Sequence, residues 1–221
     1  MTSEKQRLSS VQVLGLCAMA IAVLVIANDF TSLSVALPAI EAEFSSDVTT
    51  VQWIITGYAL VFGVLIVTGG RLADMFGRRR IFLVGASLFT VFSVLAGLAT
   101  DVWMLIAARG LMGVGGALMW PAVLGMTYGL LPPGREALGG SLIMTAAGMG
   151  NAIGPLLGGA LTDYFSWRWI FLLNLPVTLI AMLVTWRVVA ADEKRPGERL
   201  SLIHISEPTR RATISRMPSS A

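Results

Sequence analysis

Two charged side chains stand among residues that are otherwise almost wholly apolar: Asp29, within residues 11–37, and Arg109, within residues 103–130. Placing such a charge at the centre of a membrane helix costs about 2.5–3.5 kcal/mol, and buried ionisable groups of this kind mark ion or substrate paths. Asp29 lies about eight residues from the end of its apolar run and Arg109 about six from the start of its own. At ~1.5 Å per residue both sit about 9–12 Å below the same boundary. At matching depth they could meet directly or across a shared polar cavity. The chemistry open to them is reversible protonation: burial disfavours the ionised carboxylate, a guanidinium favours it, and proton occupancy would then follow conformation. A static pair that only fixes packing is the competing reading; apolar residues could replace such a pair at little cost.

A second cluster is the polar island at residues 70–80, which holds four arginines and one aspartate between two apolar runs. It reads as a short loop between two membrane helices, and its excess of arginine places that loop in the cytoplasm. Gly70 and Gly77 permit a tight turn. Asp74 is expected at the start of the following helix, where the positive end of a dipole favours it. Arg78, four residues on, is within reach if the segment is helical. A third pattern is the stripe Gly150, Gly154, Gly158, with Pro155 and Gly159 beside it. Small residues every fourth position let another helix approach closely, and proline bends the helix. Together they read as a rocking interface. Asn28, Tyr58, Met112, Trp120 and Asn151 are candidate cavity-facing groups, because adaptable methionine, aromatic and amide side chains suit a loosely specific apolar pocket.

The elements that must position these groups follow from composition. Charged residues make up 13% of the chain, about half the share usual in globular proteins, and mean hydropathy is +0.76. The fold class is therefore all-α and polytopic. At ~20 residues per span, the 221 residues hold six membrane helices and no sizeable soluble domain. Spans are expected at about 11–37, ending at Pro38, then 51–69, 81–99, 103–130, 137–161 and 167–190. Residues 1–10 form a short N-terminal segment, 11–190 the bundle and 191–199 the start of a hydrophilic linker. Lys5, Arg7, Arg71, Arg78, Arg79, Arg80, Arg135, Lys194, Arg195 and Arg199 fall on one side. The other side has Arg168 with Glu41, Glu43, Asp47, Asp101 and Asp163. Both ends are therefore expected in the cytoplasm, with a bacterial-type inner membrane as the setting.

These patterns are specific in combination. Gly70-x-Leu72-Ala73-Asp74-x-x-Gly77-Arg78-Arg79-Arg80 resembles the loop signature between the second and third helices of the major facilitator superfamily. Asn28-Asp29-Phe30-Thr31 with Ala36-Leu37-Pro38 is similar to the first-helix motif of its drug:proton antiporter branch with fourteen spans. Arg109-Gly110-Leu111-Met112-Gly113-x-Gly115-Gly116 resembles the fourth-helix motif. Gly154-Pro155-x-x-Gly158-Gly159 resembles the antiporter motif of the fifth, and Trp167-Arg168-Trp169-Ile170-Phe171 with Asn174-x-Pro176 the start of the sixth. Met75 departs from the loop pattern, where a polar residue is common.

The resemblance implies an exporter of small amphipathic compounds coupled to protons. In it, Asp29 would be the proton or cation site and Arg109 would tune proton movement. Asp74 and Arg78 would form one side of a cytoplasmic latch, and the helix with Pro155 would sit between two halves. The superfamily builds its site between two six-helix halves, so this chain would supply one. The latch partner, the opposite cavity wall and the helix facing the glycine stripe are expected in a C-terminal half outside it, and the chain alone is expected to be inactive. Residues 200–221 resemble a translated sequencing adapter, which makes truncation the expected account.

Other functions fit less well. A symporter or uniporter for sugars or organic anions lacks a reason for the fifth-helix pattern, and a scaffold needs no charges at matching depth. An enzyme would want a nucleophile elbow, a phosphate loop or a histidine outside the tail, and the sequence offers none. Cys17 is the one cysteine, so no disulfide or cysteine metal site is expected, and no cofactor. The basic residues gather in loops, which argues against nucleic acid and for a lipid bilayer as partner.

Overall fold

The computed structural model describes residues 8–190. The expectations for residues 1–7, for the linker at 191–199 and for the adapter-like tail at 200–221 fall wholly or partly outside the described residues. The described chain is helical from end to end: α1 Ser10–Phe44, α2 Val48–Phe76, α3 Arg78–Gly97, α4 Val102–Leu130, α5 Glu136–Tyr164, α6 Arg168–Leu172 and α7 Asn174–Val188. Six segments are long and apolar enough to cross a membrane, with α6 and α7 forming one of them over Arg168–Val188.

Several boundaries differ from the sequence reading, each for a physical reason. Pro38 does not end the first helix; α1 runs through it to Phe44, so Glu41 and Glu43 are helical. Proline removes one N–H from the ladder without ending the helix, and the extension is held by the bonds of Glu43 to Trp167 and Arg168. The same tolerance holds for Pro121 in α4 and Pro155 in α5. The polar island is not a loop. α2 continues to Phe76 and α3 starts at Arg78, leaving Gly77 alone as the corner, with φ 100°. That dihedral is one glycine adopts without a Cβ clash. Asp74 therefore lies in the last turn of α2 rather than at the start of α3, a correction to the expected position. Pro176, four residues after Leu172, has no N–H to give its carbonyl, and the helical ladder is interrupted at Leu173 although its backbone stays helical at φ −66°, ψ −23°.

Acidic residues between spans serve as caps. Asp47 accepts from the Thr50 amide at 3.1 Å and its hydroxyl at 2.6 Å, which holds its carboxyl below the usual range. Asp101 accepts from Trp103 and Met104, both at 2.9 Å. α4 sits at the centre, against α2 on one side and α3 on the other, while α1 packs on α5 and α7. Small residues set these distances. A Cβ on Gly113 would lie 2.8 Å from the Tyr58 carbonyl of α2, and one on Gly115 would lie 2.6 Å from the Phe89 amide of α3. The fourth-helix glycines thus bring both neighbours to backbone contact.

The glycine stripe faces a helix inside this chain, which corrects the expectation that its partner is missing. A Cβ on Gly150 would lie 2.6 Å from the Leu24 carbonyl of α1; on Gly154 and Gly158 it would collide with Thr31 and with the Ser32 backbone. The stripe is the seam between α5 and α1. Pro155 and Gly159 lie beside it: Pro155 is exposed, and a Cβ on Gly159 would make only ordinary contact with Val35.

A buried ion pair beneath an aromatic cleft

Asp29 and Arg109 are in contact: the Arg109 Nη1 donates to Asp29 Oδ2 in an ion pair whose side chains have no exposed surface. The guanidinium is held further by α2, donating from Nε to the Ile54 carbonyl at 3.1 Å and lying 4.1 Å over the Tyr58 ring. The second carboxylate oxygen of Asp29 accepts from Asn174 Nδ2 of α7 at 3.3 Å. The same amide nitrogen reaches Ser93 Oγ of α3 at 3.1 Å, and Ser93 donates to the Phe171 carbonyl at 2.8 Å. One polar cluster therefore joins α1, α2, α3, α4, α6 and α7 in the middle of the bundle. Arg109 Nη2 has no partner in it.

Phe30, next to Asp29, opens onto an apolar cleft of about 450 Å³ between α1, α2, α4 and α5, lined also by Ile26, Phe62, Trp120 and Asn151. Its aromatic wall is continuous: Phe30 meets Tyr58 at 4.7 Å between ring centroids and Phe62 at 5.4 Å, and Phe62 meets Trp120 at 6.5 Å. Of the candidate cavity residues, Trp120 and Asn151 line this cleft. Tyr58 and Met112 do not; both are fully buried, Tyr58 as the layer between Arg109 and Phe30 and Met112 in the core. Asn28 lines a different, smaller cavity on the other face of α1. Alternating burial along α1 puts Asp29 inward and Asn28 toward α5, a distinction that two adjacent polar residues in a sequence do not carry.

At the far end of α2, Asp74 and Arg78 pair at 3.3 Å across the Gly77 corner, with 69% of the aspartate side chain exposed. Arg78 also donates to the Gly125 carbonyl of α4 at 2.9 Å, and a Cβ on Gly125 would run into its side chain. A Cβ on Gly70 would meet only the side of Pro121. At the opposite end of the bundle, Glu43 accepts from Trp167 Nε1 at 2.7 Å and Arg168 Nη1 at 2.6 Å. Arg168 donates as well to the Ala99 carbonyl at 2.9 Å and lies 4.4 Å over the Trp167 ring. Sequence reasoning alone assigns no role to Glu43, Ser93, Asn174 or Gly125. Asn174 is visible as the polar member of Asn174-x-Pro176; Ser93 and Gly125 carry no sequence signal, since their roles come from what packs against them.

These features define a multi-pass membrane protein: a bundle of apolar spans around one buried charge pair. The Major Facilitator Superfamily pattern matches residues 19–217, and the chain belongs to that family. Membership places it among transport proteins rather than enzymes. It is 41% identical over 177 residues to the lincomycin resistance protein of Streptomyces lincolnensis, covering 79% of this chain and 36% of that protein. It is 42% identical over 170 residues to the puromycin resistance protein of Streptomyces alboniger, covering 76% and 34%. It is 37% identical over 185 residues to the multidrug efflux pump LfrA of Mycolicibacterium smegmatis, covering 83% and 37%. The chain thus spans about a third of the length of these relatives. A solved peptide transporter, POT, superposes with a TM-score of 0.69 over 78% of this chain and 37% of its own, at 19% identity, a likeness of fold.

Proposed function

We propose that the chain is the N-terminal half of a proton-coupled antiporter that exports drug-like, amphipathic compounds across a bacterial-type inner membrane, with both ends of this half in the cytoplasm. The relatives' names support export. The observation that carries proton coupling is the buried Asp29–Arg109 pair, because it sits directly behind the aromatic cleft through Phe30 and Tyr58.

A proton arriving at Asp29 neutralises the carboxylate and removes its attraction for Arg109. The guanidinium keeps its carbonyl on α2 and its place over Tyr58, so the bond between α1 and α4 is what loosens. α1 also forms one wall of the cleft, and a shift of Phe30 changes the surface offered to a ligand. Proton and compound then compete for one helix, the condition for exchange. The cleft is half of a site whose other wall belongs to a C-terminal half, and this half alone does not complete a transport cycle. Asp74 and Arg78 act as one side of a cytoplasmic latch against that half. The test is Asp29→Asn in the intact transporter reconstituted in proteoliposomes. Transport of a lipophilic cation such as tetraphenylphosphonium driven by an imposed pH gradient should fall at least about tenfold, or ~1.4 kcal/mol in the barrier. Transport at the wild-type rate removes Asp29 from the mechanism.

A further inference from the structure

The smaller cavity lies on the side of α1 away from the aromatic cleft, a partly open space bordered by α1, the last turns of α5 and the α6–α7 break. It measures about 140 Å³, and its walls include Asn28, Ser32, Gly158, Leu161, Leu173 and Asn174. Two of its polar atoms, Asn28 Oδ1 and Ser32 Oγ, are buried without a hydrogen-bond partner, and Ser32 is only 1% exposed. Buried polar groups are almost always satisfied, and cavities that stay empty are apolar ones. A water's share of liquid volume is about 30 Å³, so this space admits several, and the two orphaned oxygens offer partners to those beside them while the waters bond to one another. The void is not a loose seam: at its edge the Gly158 backbone presses against Ser32 as closely as Gly150 does against Leu24.

Asn174 belongs to both sites: it lines this chamber and its Nδ2 holds Asp29 Oδ1. We propose that the chamber is filled with water and is the path by which protons reach Asp29, with the Asn174 amide as the gate between them. This rests on the antiport reading above. Asp29 Oδ2 is taken by Arg109, so a proton must land on Oδ1, where Asn174 now donates. The amide cannot relay a proton itself. It has to swing aside, a water of the chamber takes its place, and that water passes a proton to Oδ1 while the next water in line replaces it. The charged and titratable groups against Asp29 are Arg109 from α4 and Tyr58 of α2 behind it. α3 and α7 contribute the neutral Ser93 and Asn174, and α5 carries no charge between Glu136 and Asp163. Arg109 and Tyr58 both lie on the side of Asp29 away from the chamber, and Asn174 stands between the carboxylate and the cavity.

A path sets a rate, while the number of protons exchanged is set by Asp29. The experiment uses the intact transporter in detergent, with a pH-indicator dye in stopped flow and tetraphenylphosphonium as the probe. Wild type should release protons on mixing, and Asp29→Asn should not. Ser32→Val combined with Asn28→Leu, which leaves the water no partners, should release the same amount at least about tenfold more slowly. Asn174→Ala, which removes the gate, should release at least as fast as wild type. Release by the double variant at the wild-type rate overturns the path while leaving antiport standing; absence of release in wild type overturns both. Should the double variant fail to fold, Ser32→Cys in a Cys17→Ala background decides. Modification by aminoethyl methanethiosulfonate, with Leu33→Cys inert as the dry control, supports a wet chamber, and no modification at Ser32→Cys overturns it.

Discussion

α1 is tied to its neighbours by two arginine–carboxylate pairs built on opposite principles. At its middle, Asp29 and Arg109 are wholly enclosed, and the guanidinium keeps one nitrogen without a partner. At its end, Glu43 and Arg168 are 42% and 30% exposed, and each has further donors or acceptors: Trp167 for the glutamate, the Ala99 carbonyl for the arginine. Water screens the second pair, so its partners fix geometry more than they supply energy. The first pair is closed off from bulk solvent. Each ion there also has a further partner, Asn174 for the aspartate and the Ile54 carbonyl for the arginine, but without bulk screening a change of charge on one is felt in full by the other. The rim pair is a clasp and the central pair a switch, and the difference lies in what is left over when the charge on one member changes.

That contrast can be broken by substitution, beginning where the effect is largest. Arg109→Met strands a buried carboxylate and is expected to cost about 3–5 kcal/mol of stability, as for other buried pairs that lose one partner. Adding Asp29→Asn should restore part of it, because the amide is neutral. Thermal unfolding in detergent reads both. Glu43→Gln keeps an acceptor for Trp167 and loses only the screened attraction, so about 0.5–1 kcal/mol is expected by the same measurement. Equal costs for Arg109→Met and Glu43→Gln would dissolve the distinction between switch and clasp. Smallest of all is Asp74→Asn at the Gly77 corner. Its exposed pair should contribute nothing measurable to unfolding, yet export by the intact transporter should fall if the corner serves as a latch. A stability loss with unchanged export would reverse that assignment.

The six spans were legible because an apolar run of membrane length is costly to keep in water, and the depth of Asp29 and Arg109 could be counted along them. What escaped were features set by environment. Pro38 reads as a helix end, yet the helix continues past it to place Glu43 against Trp167 and Arg168. The arginines around Gly77 read as a loop because charge suggests solvent, yet solvated residues can remain helical and leave one glycine to turn the chain. The stripe at Gly150, Gly154 and Gly158 announced a close neighbour without saying which; only packing shows it to be α1. Tyr58 and Met112 shared the composition of a ligand pocket and went to the core, since aromatic and thioether groups suit both. Glu43 looked like one of several acidic residues at a boundary. Its value depends on Trp167 and Arg168, more than a hundred residues away.

Continuity of α1 gives these fastenings a mechanical meaning. The helix is one rod from Ser10 to Phe44, bonded near one end by the three-way contact at Glu43 and near the other by Gln12 Nε2 to the Leu130 carbonyl at 2.9 Å, with the glycine seam of α5 along its middle. At ~1.5 Å per residue the rod measures about 46 Å between those bonds, with Asp29 about 21 Å from the one at Glu43. The Glu43 contact is a fulcrum, Asp29 the point where force is applied, and the Gln12 end the long arm. On that geometry a tilt about the Glu43 contact that moves the carboxylate would move the Gln12 end about twice as far, with the smooth glycine seam of α5 as the face along which it slides.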